Sequence, residues 1–276
     1  MFSPSPSTSV ATGRSLSTGS AFAPDADTKV VVTINQVKRK TLALVGCFET
    51  SRLPPDCFSA VSGNFDGQGV SFGALQFNLG QGTLQPIIIF TYKNDPQGFK
   101  RAFADGKDDI LLAKLRRPKA EQVAWASSIS VRGKLASEWA DVFERFGCLE
   151  ACRVAQIEAA EKYYSRAVSY CRQYDLKSER AYALMFDIAV QNGSIKKTAI
   201  KAIGTKLPVL NAIPDPKTRE WEIMKAAAHA VAEASNPRWI EDVRSRKLCI
   251  ANGVGIVHGQ RYDLAKQFDI TMRPWG

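Results

Sequence analysis

Residues 46–78 read "GCFETSRLPPDCFSAVSGNFDGQGVSFGALQFN". An apolar stretch ends in a lone carboxylate, Glu49, then passes a proline breaker and a glycine-rich turn that holds a second carboxylate, Asp66. Upstream, Ile34, Val37, Leu42, Val45 and Phe48 fall near helical spacing, with Lys38, Arg39 and Lys40 on the other side. The spacing predicts a helix from about Thr33 that stops near Glu49, because the prolines of "RLPP" cannot continue it. Downstream, "CFSAVSGNF" and "GVSFGALQFN" are joined by "DGQG", whose aspartate and glycines readily supply the positive φ of a tight turn. A small β-hairpin is expected there.

Working outward, residues 1–28 are rich in Ser, Thr, Pro, Gly and Ala and too poor in large apolar groups to repay ordering, so a flexible arm is expected. Residues 29–276 read as one domain. Beyond the hairpin the patterns are helical: Thr83 stands where a helix cap would, Asp95-Pro96 opens another helix, and Pro237 a later one. The stripe Leu149, Cys152, Gln156, Ala160, Tyr163, Ala167 and Tyr170 predicts one long central helix. "NGVGIVHGQRYD" reads as a glycine-rich loop without the spacing of a phosphate-binding fingerprint. The fold class is therefore α+β, mostly α: a small β-hairpin lobe and a larger helical lobe around a cleft.

Composition narrows the chemistry. With 45% hydrophobic residues in a chain of 276, a sizeable core is expected. The net charge of +10 favours an anionic partner. The basic residues are dispersed and no nucleic-acid motif occurs, so nucleic acid is not the expected partner. Two histidines and no paired Cys/His spacing leave no metal site, and no cofactor is expected. The six cysteines are too sparse for a disulfide framework and read as buried thiols, with Cys47–Cys57 the pair to bridge in an oxidising compartment. No apolar run reaches the ~18 residues a transmembrane segment needs, and the start shows no secretory signal pattern.

Glu49 closes an apolar helix flanked by Cys47 and Phe48, where desolvation would favour the protonated form that a general acid requires. Asp66 lies in a turn whose backbone amides would keep a general base ionised. Two carboxylates in unlike environments across a cleft are what glycoside hydrolysis needs. Taken singly, each reads as well as a helix-end glutamate at the surface and a plain turn aspartate.

Their order resembles the lysozyme-like superfamily, and "FETS" with "DGQGVS" resembles the chitosanases of glycoside hydrolase family 46. The resemblance implies Glu49 as general acid, Asp66 as general base, and Ser71 in place of a threonine that helps hold the attacking water. "FDIAVQNG" resembles a second family segment and implies Asp187 in a buried ion-pair network, with Arg244 its expected partner and Arg246 the second choice. Gln68, Val70 and Asn192 stand where the family has arginine, tyrosine and histidine, which puts the substrate in question more than the reaction.

Chitosan is a polycation, which a chain of net charge +10 attracts poorly. Peptidoglycan carries carboxylates, so its glycan strands are the expected substrate and a muramidase the expected enzyme. Gln76, Asn78 and Gln81 offer amides to sugar hydroxyls and N-acetyl groups, Phe77 an apolar platform, and His258 a substrate contact. An enzyme of this kind without a secretory signal implies delivery by a secretion machine or phage lysis, with an immunity protein as a possible partner. Two alternatives remain: a chitosanase of the same fold, and a non-catalytic basic module binding an acidic polymer.

Overall fold

The computed structural model describes the backbone from Ala26 to Gly276 and the side chains from Gln36. The expected arm lies outside the described residues up to position 25, and residues 26–28 already belong to a helix. Helix α1 (Ala26–Thr50) buries Leu42, Leu44, Val45 and Phe48. It ends where Ser51 takes φ 56° and its N–H returns to the Cys47 carbonyl at 2.8 Å.

After a 3-10 turn at Asp56–Ser59 come β1 (Val61–Ser62), β2 (Ser71–Phe72) and β3 (Phe77–Asn78). They form an antiparallel three-stranded sheet, with Ser62 opposite Ser71 and Ser71 opposite Asn78. The expected hairpin thus gains a third strand. The chain reverses between β2 and β3 through Gly73 at φ 76° and Gln76 at φ 52°, with Gln76 Nε2 donating to the Gly73 carbonyl at 2.9 Å. No side chain fits on Gly73: a Cβ there would lie 2.3 Å from Gln156 Oε1.

Helices α2 (Leu84–Asn94), α3 (Pro96–Ala102), α4 (Lys107–Leu115) and α5 (Lys119–Ser128) follow, then a hairpin of β4 (Ser130–Val131) and β5 (Lys134–Leu135), and α6 (Ser137–Gly147) and α7 (Glu150–Ala159). Asp95 caps α3 by accepting from the Gly98 N–H at 2.8 Å. Together with the sheet these elements enclose an aromatic core, with ring centroids 4.8 Å apart for Phe99–Phe103 and 5.8 Å for Phe72–Phe143.

A separate core is built by α1 with α8 (Glu161–Gln173), α9 (Glu179–Gln191), α10 (Lys197–Asn211), α11 (Pro216–Glu233), α12 (Ile240–Asn252), the hairpin β6 (Val254–Val257) and β7 (Gln260–Asp263), and α13 (Leu264–Phe268). Every residue of α9 from Ala181 to Ala189 is buried, so α9 is the central helix.

The fold is mostly-α α+β, and three expectations need correction. The lobe carrying the sheet is largely helical, not a bare hairpin. The long helix expected over 149–175 breaks at Ala160, because Cys152 and Ala155 face the aromatic core whereas Tyr164, Ala167 and Cys171 face the other. One straight helix cannot serve both. The glycine-rich loop near the end is the β6–β7 hairpin, turned by His258 at φ 50° and Gly259 at φ 78°.

Gln156 fastens the lobes together. Wholly buried, it accepts from the Ala74 N–H and donates to the Phe58 carbonyl, each at 2.9 Å. All six cysteines are free. A hydrogen bond with Cys57, together with burial, pushes the Cys47 thiol well above its ordinary pKa. Among the described residues no helix is long and apolar enough to cross a membrane.

Candidate active site

Glu49 occupies the last turn of α1, with its side chain 30% exposed. The expected apolar enclosure is not what surrounds it: Oε1 accepts from Arg246 Nη2 at 2.7 Å. Arg246, on α12, is 2% exposed, and its guanidinium lies over the Phe48 ring at 5.1 Å from the centroid. Its Nε donates to Asp187 Oδ1 at 2.7 Å, so one guanidinium spans both carboxylates. Lys247 Nζ donates to Asp187 Oδ2 and to Gln191 Oε1, each at 2.5 Å.

Asp187, Arg246 and Lys247 are buried charges, each held by opposite charge. Burial alone would raise the pKa of Asp187, but the neighbouring Arg246 guanidinium and Lys247 ammonium outweigh it and hold the carboxyl below its ordinary value. Burial pushes the Lys247 ammonium down to about 8, against the opposing pull of Asp187. Beyond Lys247 the chain of contacts continues: Gln191 Nε2 donates to Asp242 Oδ2 at 3.3 Å, and Asp242 Oδ1 meets His258 Nε2 at 2.7 Å.

Burial of the Lys247 ammonium makes stability depend on pH. Its folded pKa lies below the ordinary 10.5, so between about pH 8 and 10.5 the unfolded chain binds more protons than the folded one. Stability contributed by this group rises with pH through that window. The unfolding free energy of wild type minus that of Lys247→Met is expected to grow by roughly 3 kcal/mol from pH 8 to pH 10.5, read by urea denaturation. A flat difference would show that Lys247 holds its proton as tightly in the fold as in water.

Arg244 is a correction to the expected network. It pairs with Glu241 and with Glu233 at 3.8 Å, and it is Arg246 that meets Asp187.

Asp66 is exposed, on the loop between β1 and β2 of the other lobe. Its Oδ1 accepts from the Gln68 N–H at 3.0 Å. Asn64 braces the same loop: Oδ1 accepts from the Gly69 N–H at 2.9 Å, and Nδ2 donates to Ser127 Oγ at 2.6 Å. Ser130 Oγ accepts from the Asn64 N–H at 3.1 Å and donates to the Ala126 carbonyl at 2.7 Å. A Cβ on Gly63 would lie 2.6 Å from Ser130 Oγ, so glycine is required for this approach. The loop is thus tied to α5 and the β4–β5 hairpin. Phe65, beside Asp66, is two-thirds exposed.

Ser71 is buried on β2, opposite Asn78. Gln76, Phe77 and Gln81 line one cavity of about 250 Å³, which Tyr163 closes from α8. Asn78 is buried and spends its Oδ1 on the Gln81 N–H at 2.8 Å, holding the turn. His258 does not line that cavity; it belongs to the Asp242 end of the network. Lys247 and Asn64 escaped sequence reasoning. For Asn64 the signal was an asparagine two residues before the aspartate of a glycine-rich turn. Lys247 carried no comparable mark.

No family model matches the chain, and no curated protein matches it. Among solved structures it is similar to a mutant chitosanase from Bacillus subtilis MY002 complexed with 6 GlcN, at TM-score 0.50 and 15% identity over 83% of this chain and 96% of that one. The native chitosanase from the same source aligns at TM-score 0.49 and 18% identity, over 79% of this chain and 88% of that one. At such identities the likeness concerns fold alone: the chain shares the fold of that chitosanase.

Proposed function

We propose that the protein is a glycoside hydrolase that cleaves the β-1,4 bond after N-acetylmuramic acid in peptidoglycan. The observation that carries this reading is the placement of Glu49. It closes α1 on one lobe, held by an arginine that Asp187 fixes in turn, while Asp66 sits on a braced loop of the other lobe. Glu49 gives its proton to the departing glycosidic oxygen. Asp66 takes a proton from the water that attacks the anomeric carbon, and Ser71, first residue of the strand after its loop, orients that water. Gln76 and Gln81 meet the sugar hydroxyls.

The net charge of +10 supports an acidic glycan over a cationic one. Such an enzyme acts at the wall of a target or host cell after delivery by a secretion machine or phage lysis, and an immunity protein would protect the producer. A chitosanase is the second reading, favoured by the structural neighbour whose crystals hold 6 GlcN.

The deciding experiment offers purified sacculi and chitosan to the wild-type protein and identifies fragments by mass spectrometry. Disaccharide-peptides with a muramic acid at the reducing end, and intact chitosan, are expected. Cleavage of chitosan alone gives the second reading; release from neither substrate removes the hydrolase assignment.

A further inference from the structure

One turn along α12 from Arg246, about 6 Å of helix rise, a second cavity opens between the ends of α9 and α11 and the start of α12. Its volume is about 310 Å³. That lies at the small end of the ~300–1,000 Å³ typical of ligand pockets, enough for a single ring but not a polymer. The amides of Gln191, Asn192 and Asn236 and the hydroxyls of Ser194 and Ser235 line it, above an apolar floor of Val231 and Val243. Trp239 stands at its edge, 50% exposed, with the Arg238 guanidinium 4.9 Å from its ring.

Charge excludes several ligands. Among the described residues Asp242 is the only carboxylate in the lining, and each of its oxygens already has a partner, His258 at 2.7 Å and Gln191 at 3.3 Å. A cationic amino sugar would have to share that carboxylate with His258 and Gln191. Among the described residues Lys196 is the only cation in the lining, and one of its N–H groups is already given to the Ala234 carbonyl at 2.7 Å, so the several converging donors of a phosphate cradle are missing. What remains is amides, hydroxyls, one indole face and an apolar floor. That set suits a neutral sugar carrying an amide. Asn192 adds a specific demand, because its buried Oδ1 has no hydrogen-bond partner among the described residues. An unmet acceptor of this kind is costly, and a small rotation of the amide would present it to an N–H donor.

We infer that this cavity binds one neutral N-acetylhexosamine unit of a glycan. Trp239 is the platform for the ring, Asn192 Oδ1 accepts from the acetamido N–H, and Val231 and Val243 lie under its methyl. This deepens the hydrolase reading and rests on it in assigning the unit to the same strand. Gln191 and Asp242, which touch the bound unit, are the outer links of the contacts that reach Glu49 through Lys247, Asp187 and Arg246.

Binding is read on the Glu49→Gln protein by titration calorimetry, with N-acetylglucosamine tetramer and glucosamine tetramer as probes. Adding Trp239→Ala is expected to weaken the N-acetylated probe roughly tenfold. Trp239→Phe restores most of that loss, and the glucosamine probe shows no dependence on position 239. If Trp239→Ala shifts the unfolding midpoint, Ser194→Tyr, which fills the cavity from an exposed turn, should produce the same loss. Equal affinity with and without the indole, or an equal loss for glucosamine, overturns the inference. The two readings fail separately: Trp239-dependent binding by a wild-type protein that releases nothing from sacculi keeps the cavity and removes the hydrolase, whereas hydrolysis with binding indifferent to Trp239 does the reverse.

Discussion

Replacing Glu49 by Gln is expected to lower the release of glycan fragments by about 10³-fold or more, since a positioned general acid contributes on the order of 10²–10⁴. The change keeps shape and hydrogen bonding, because a glutamine oxygen can still accept from Arg246 Nη2, now at 2.7 Å from Glu49 Oε1. It removes the proton to be donated and the charge that pairs with Arg246. Asp66→Asn should cost a similar factor while its loop persists, because Asn64 and Ser130 brace that loop independently of the Asp66 carboxylate. Leaving-group chemistry separates the two roles. An aryl glycoside whose phenolate departs without protonation should recover much of the Glu49→Gln loss and none of the Asp66→Asn loss. Wild-type turnover in either variant would sink the assignment of that residue.

Replacing Asp187 by Asn is expected to destabilise the fold by about 3–5 kcal/mol, the usual cost of breaking a buried ion pair from one side. Asp187 is fully buried and faces Arg246 at 2.6 Å and Lys247 at 2.5 Å, both almost wholly buried themselves. Without it Lys247 retains only the Gln191 amide, and Arg246 only the partly exposed Glu49. The midpoint of urea unfolding measures this directly. A loss below about 1 kcal/mol would mean that water or rearrangement compensates the two cations.

The sign of the acid dependence follows from the same contacts. The folded pKa of Asp187 lies below its ordinary 3.8, so its contribution is present above that value and is lost as pH falls through the folded pKa. A triple replacement, Asp187→Leu with Arg246→Met and Lys247→Met, should recover most of the stability, because apolar groups of similar volume often replace a buried network at little cost. Activity should not return, since Glu49 then has no guanidinium to hold it.

Short-range chemistry was legible wherever one residue type has one dominant use. The prolines after Glu49 stop α1, Asp95 with Pro96 opens α3, and the glycines around Asp66 permit φ near 80° at Gly67 and Gly69. The glycine-rich end reads as a loop because a two-residue hairpin turn declares itself only when the flanking strands find each other. Here His258-Gly259 joins Val257 to Gln260.

What the local sequence determined was thus the two carboxylates and their settings, a helix end and a glycine turn, because capping, breaking and positive φ act within a few residues. Tertiary structure decided which cation meets Asp187. Arg244 and Arg246 are two residues apart, some 200° around a helix, so they point to opposite sides and only the packing of α12 against α9 selects between them. It also decided the break at Ala160, since one stripe can serve two cores only by bending, and the burial of Lys247, whose cost no neighbour in sequence reveals.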